Sequence, residues 1–221
     1  MTVRTQGRIA GLIYLGVVLT GLFALAYAPN RLFVEGDPAA TAAALAANQS
    51  LFHAANYASI AMCLFFLGLP FALARFLSPY GKNAARLMIL LVAASIPFTL
   101  LAIAQHFELA SLVGGAPLAP IAIEAKIAAY DRWLGVASIF WGLWLAPLGW
   151  LILKSGTIPR ALGVLLILGG FGYLVGDFGP ILFVGYAELP FRNLISIPGS
   201  VGEIGTCLWL LVMGARVSAE N

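Results

Sequence analysis

The sequence predicts an all-α polytopic membrane protein, a bundle of six transmembrane helices kinked at prolines. Three observations predict it. Of 221 residues, 62% are hydrophobic and 10% charged, whereas soluble domains carry about 25% charged residues. Too few polar residues remain to cover a water-soluble fold of this size, so lipid must be the solvent. Six apolar stretches, at about residues 9–28, 51–74, 87–112, 133–153, 161–184 and 195–215, are each near or above the ~20 residues that an α-helix needs to cross ~30 Å of hydrocarbon. No ten-residue alternation of apolar and polar residues occurs, which excludes a transmembrane barrel; helices are the other structure that satisfies its own backbone in lipid.

The first stretch follows Arg4 and Arg8, and Ala26-Tyr27-Ala28 resembles a small-residue cleavage site. At about 20 residues the run is longer than a signal-peptide core and long enough to span, so it reads as the first spanning helix. Asp37-Pro38 reads as an N-cap with proline at the first helical position. It opens a short helix over about 38–47 on the outer surface, which Asn48-Gln49-Ser50 interrupts before the second span. Residues 113–132, with Gly114-Gly115, Pro117 and Pro120, read as a second sizeable outer loop, while the inner loops at 78–85 and 155–159 are tight. The whole chain, 1–221, reads as a single transmembrane domain.

Spans two to six each hold a proline (Pro70, Pro97, Pro147, Pro180 and Pro198), tolerated because neighbouring helices re-satisfy the freed carbonyls. Gly7-x3-Gly11 and Gly172-x3-Gly176 read as close helix contacts. Trp133 and Trp150 sit near the ends of the fourth span as interfacial anchors; Trp141 and Trp144, three apart, share a deeper face. Cys63 and Cys207 lie inside apolar runs and read as small buried hydrophobes.

Basic residues set the orientation. One set of span ends carries Arg4, Arg8, Arg75, Lys82, Arg86, Lys154, Arg160 and Arg216; the other carries Arg31, Lys126, Arg132 and Arg192. The richer side is expected in the cytoplasm, which with an even number of crossings puts both termini there. The acids are one-sided too: Glu35, Asp37, Glu108, Glu124, Asp131, Asp177, Glu188 and Glu203 fall in the outer half, and Glu220 inside. Because the basic residues are dispersed singly, a nucleic-acid partner is not expected. The expected partner is the bilayer of the cell membrane, and a small-molecule ligand, an oligomer or a partner subunit are all compatible with the pattern.

Chemistry is looked for where polar groups meet lipid. Glu203 lies 13 residues above Arg216, about 20 Å at 1.5 Å per residue, and so well within the hydrocarbon layer. A carboxyl group at that depth marks a function or a specific partner. Thr206 and Cys207 follow on its face, and Asp177, with Tyr173 one turn before it, lies nearer the outer boundary. Arg132 and Arg192 are the cations that could reach inward to pair with these acids. His106, Glu108 and Asp131 fall near the outer interface, and His53 and Asn56 just within it. These residues (Glu203, Asp177, His106, His53, Asn56, Tyr173, Glu108 and Arg132) form the candidate ligand-binding set, expected between spans two, three, five and six. The competing reading is that the acids merely hydrogen-bond neighbouring helices.

No metal site or cofactor is expected. His106 and Glu108 are two apart and point to different helix faces, and neither HxxxH nor HExxH occurs. Haem b would need facing histidines at depth, and a retinal Schiff base a mid-membrane lysine. GxSxG and P-loop patterns are absent. Three functions stay open: binding or translocation of a small solute through an outward-facing polar pocket, an intramembrane enzyme acting on a lipid or quinone, and an assembly partner without a site of its own.

The segment Ile158-Pro-Arg-Ala-Leu-Gly-Val-Leu-Leu-Ile-Leu-Gly-Gly-Phe-Gly-Tyr-Leu-Val-Gly-Asp177 resembles the signature of the DUF4386 family of bacterial and archaeal integral membrane proteins. Gly202-Glu-Ile-Gly-Thr-Cys-Leu-Trp-Leu-Leu-Val-Met-Gly214 is similar to that family's closing helix, and Arg8-Ile-Ala-Gly-Leu-Ile-Tyr14 to its opening one. The resemblance implies a prokaryotic membrane protein and carries no activity with it.

Overall fold

Apolar helix-forming sequence gives helices throughout. The computed structural model describes residues 1–113, 120–186, 189 and 194–216, and none of them lies in a strand. In chain order the helices are α1 (Val3–Leu22), α2 (Pro29–Leu32), α3 (Pro38–Ala47), α4 (Gln49–Leu77), α5 (Lys82–Val113), α6 (Pro120–Ser155), α7 (Arg160–Leu182) and α8 (Ile197–Val212). A π-helical turn at Phe23–Tyr27 joins α1 to α2, where Pro29 supplies no amide donor. Five segments, Val3–Leu32, Gln49–Tyr80, Lys82–Val113, Pro120–Ser155 and Arg160–Leu182, are long and apolar enough to cross a membrane. They indicate a multi-pass membrane protein. At 16 residues, α8 rises about 24 Å, less than a full crossing.

Two expectations are corrected here. Residues 120–132 are helical, the first part of the 36-residue α6. Proline at the first helical position starts that helix, and Ile123, Ile127 and Tyr130 recur at helical spacing on one buried face. Pro198 lies in the first turn of α8, where no helix bond is lost, so it opens that helix and does not kink it. Pro70, Pro97, Pro147 and Pro180 do lie inside helices. Gly114, Gly115, Pro117, Glu188, Arg192 and Glu220, which carried part of the loop, pairing and charge readings, lie outside the described residues.

The contacts cluster into two units, whose boundaries fall inside α1, α4, α5 and α6. Unit one is Met1–Leu15, Phe66–Ser95 and Ala137–Asn221; unit two is Gly16–Phe65 and Ile96–Val136. Unit one is assembled through glycines. A Cβ on Gly169 would collide with the Gly199 Cα, so α7 and α8 touch backbone to backbone. On another face of α7, a Cβ on Gly170 would come within 2.7 Å of the Gly142 carbonyl of α6, and Gly149 and Gly163 are equally close. Gly7 and Gly11 press α1 onto residues 210–215 in the same way, whereas Gly176 faces open space and takes no part in a seam. Lipid does not drive apolar surfaces together as water does, so close backbone approach with its dispersion contacts supplies much of the association. The end of α8 is capped from α1. Arg4 Nε donates to the Met213 carbonyl at 3.2 Å and Arg8 to the Val212 carbonyl at 3.1 Å. These bonds fill carbonyls that the helix cannot satisfy and place positive charge at its negative end.

Unit two has a conventional side-chain core of Ala28, Leu32, Leu45, Phe52, Ala55, Leu109, Ala110 and Ile123. α3 enters it through Thr41 and Leu45, one turn apart. Asp37 caps α3 by accepting from the Ala40 amide at 2.8 Å, and the Thr41 hydroxyl holds the Val34 amide at 2.9 Å. Between them, Gly36 adopts φ +72°, a left-handed backbone that a side chain would strain. The turn at 34–37 is thereby fixed over the neighbouring surface.

Candidate functional site

That turn forms one lip of a cleft of about 600 Å³ within unit two, which the π-helical turn, α2, α5 and α6 also line. Its aromatic wall is a stack. The His106 ring of α5 lies against Tyr130 of α6, centroids 3.6 Å apart and 2° from parallel, and against Phe33 at 5.4 Å and 26°. Phe52 of α4 meets the same imidazole obliquely at 5.5 Å. His106 and Tyr130 are 7% and 8% exposed, and among the described residues the imidazole nitrogens make no hydrogen bond. In the sequence His106 falls near the outer interface and His53 just within it. His53 is exposed, but His106 is enclosed by rings that come from three other segments.

The rim is acidic. Glu35, Asp37, Glu124 and Asp131 line the cleft and are exposed, and Asp37 is the residue that caps α3. No lysine or arginine is among the described lining residues. Nearby cations are engaged elsewhere: Arg31 stacks on the Tyr27 ring at 4.0 Å, and Lys126 pairs with Glu108 and donates to Gln105 at 3.3 Å. Glu108 therefore belongs to an ion pair on the flank of α5 and α6, of a kind worth about 0–1 kcal/mol when exposed. Arg132 is exposed. Asn56 is 1% exposed, and its side-chain nitrogen finds no partner.

Glu203, Asp177 and Tyr173 belong to unit one. Tyr14 of α1 and Tyr173 of α7 lie beside Glu203. Tyr14, 1% exposed, packs against Trp144 at 6.3 Å. Its hydroxyl lies beside Glu203 but completes no hydrogen bond of normal geometry, and Thr206, one turn along α8, leaves its hydroxyl unpaired as well. Asp177 accepts from the Ser138 hydroxyl of α6 at 2.6 Å, while its second oxygen is buried and unpaired. Cys207 turns its thiol to the Gly11 carbonyl at 3.8 Å. Unpaired polar atoms in a low-dielectric interior are costly and call for an explanation.

Thus the eight candidate residues divide between the units: Glu203, Asp177 and Tyr173 in the first, and His53, Asn56, His106, Glu108 and Arg132 in the second. The stretch from α1 to Phe33 had no place in the candidate set, and the first half of α6 entered it only through Arg132; they supply Tyr14 beside Glu203 in unit one, and Phe33, Glu124 and Tyr130 at the cleft of unit two. An aromatic residue at Tyr130 beside Asp131 was a usable local signal, but the ring that stacks on it is 24 residues away in sequence. Among the described residues no group of three or more His, Cys, Asp or Glu is arranged to hold a metal ion.

A family model described as a domain of unknown function, DUF4386, matches residues 9–214. An uncharacterised protein of Archaeoglobus fulgidus is 33% identical over 94 residues. That alignment takes in 42% of this chain and 52% of the archaeal protein, so the chain spans about half the length of the relative it matches. No solved structure matches the chain.

Proposed function

This chain belongs to the DUF4386 family, and from that premise we propose that it is a multi-pass membrane protein binding or translocating a small solute through the cleft of unit two. The observation that carries this reading is the nearly buried imidazole of His106, held by rings on a cleft wall and making no hydrogen bond among the described residues. A concave site with aromatic walls and a few polar groups is how proteins hold small molecules. On this reading α8 and the residues on either side of it together complete six crossings, both ends of the chain lie in the cytoplasm, and the cleft opens outward, on the side poorer in Lys and Arg.

Ala128 lines the cleft and is exposed, so Ala128→Trp should fill it without disturbing the core. Screening the purified protein by thermal unfolding against small cations, anions and neutral solutes should find a class that raises the midpoint. A ligand at 100 times its Kd contributes about 2.7 kcal/mol, and Ala128→Trp should remove the shift. No response to any class, or a shift that survives the substitution, would refute the reading.

A second reading is favoured by the unpaired hydroxyls beside Glu203: that carboxyl is the proton- or cation-sensitive group of unit one, with Asp177 as its helper. It predicts that stability varies with pH and that Glu203→Gln flattens the curve. A curve unchanged by the substitution would leave Glu203 a structural residue.

A further inference from the structure

We infer that the ligand of the unit-two cleft is an organic cation carrying a substituted ammonium group; this rests on the solute-binding reading and narrows it to a chemical class. Two features of the same cleft agree. Its rim carries Glu35, Glu124 and Asp131, each without an ion-pair partner among the described residues, and its wall carries Phe33, His106 and Tyr130. Carboxylates around a low-dielectric mouth raise the local concentration of cations and repel anions. His106 and Tyr130 spend their faces on each other, but Phe33 at the end of the stack is partly exposed, and an aromatic face attracts an ammonium group more strongly as it loses water, which is how quaternary ammonium ions are recognised elsewhere. An inorganic cation fits less well, because it would demand several converging oxygen ligands, and among the described residues no three of the rim acids converge as a metal site requires. An anion would meet a rim of its own sign. The His106 imidazole, which makes no hydrogen bond among the described residues, supplies when neutral one donor and one acceptor beside the rings, so it can orient a polar substituent on the ligand.

The test uses the full chain in uncharged detergent and three probes of similar size: benzyltrimethylammonium, benzyl alcohol and benzoate. Benzyltrimethylammonium is expected to raise the unfolding midpoint saturably, beyond the effect of sodium chloride at equal ionic strength, with the other two inert. The double variant Glu124→Gln/Asp131→Asn, whose sites are exposed and so leave folding unaffected, should weaken its apparent affinity about tenfold, and equilibrium dialysis should agree. A shift produced by benzoate or benzyl alcohol instead would overturn the cationic class while leaving the cleft as a solute site. Unchanged affinity in the double variant would place the cation elsewhere and overturn the inference. Silence from all three probes would overturn it too, and silence across the wider solute screen would remove the solute-binding reading itself.

Discussion

Replacing Gly169 by leucine is expected to abolish the native packing of unit one, with a loss above about 4 kcal/mol, the range reached by severe overpacking. The first added carbon would fall on the Gly199 Cα and within 2.8 Å of the Gly199 nitrogen, and neither backbone atom has a rotamer through which to yield. The helices must separate, and separation also strips dispersion contacts from the neighbouring Gly172 and Gly202, whose own positions meet the Ile195 and Leu165–Leu166 backbones. Gly176 on the same helix is the control. Nothing lies within 4 Å of a Cβ built there, so Gly176→Ala should be neutral or stabilising, by up to about 1 kcal/mol from reduced backbone freedom. Recovery of monodisperse protein from detergent separates the two outcomes. Equal behaviour of both variants would contradict the seam.

Trp144→Ala should cost about 3–5 kcal/mol, as for other large aromatic truncations in packed interiors. Trp144 is 1% exposed, and its ring meets Tyr14 at 6.3 Å and Phe66 edge-on at 5.3 Å. The hole left behind would be bordered by Tyr14 of α1 and Phe66 of α4, and the cost depends on how far they relax into it. Trp150, 42% exposed and with Lys154 over its ring at 4.8 Å, should lose under about 1 kcal/mol when truncated, since an exposed cation–π contact is worth that much. Thermal unfolding of the two variants tests the contrast, and a reversed order would place the core of unit one elsewhere.

The helical class and the family were legible because each rests on local information: hydrophobic run length for the first, contiguous motifs such as 158–177 for the second. The cap of α3 was legible for the same reason, Asp37 and Pro38 being adjacent. What escaped is long-range. The first turns of α6 read as loop because Gly114, Gly115, Pro117 and Pro120 outweighed a buried stripe of three residues. The seams were half-read, since the pairing of Gly169 with Gly199 leaves no trace in small-residue spacing along one helix, whereas Gly172-x3-Gly176 has the spacing without the second contact. Depth counting singled out Glu203 because it measures distance along an axis, and it carries no information on the rings that Phe33, Phe52 and Tyr130 bring to His106. The one-sided distribution of the acids was legible as an asymmetry, but the grouping of Glu35, Asp37, Glu124 and Asp131 around one cleft depends on α3 folding back through Thr41 and Leu45.

The proposed function requires the acidic, aromatic-walled cleft to open to the outside of the membrane. Ala128→Cys reports on it directly, because Cys63 and Cys207 are buried. In sealed right-side-out vesicles, a membrane-impermeant maleimide should label the introduced thiol and leave the parent chain unlabelled, and benzyltrimethylammonium should slow the reaction. Labelling confined to inside-out vesicles, or a thiol that reacts in neither, would contradict it.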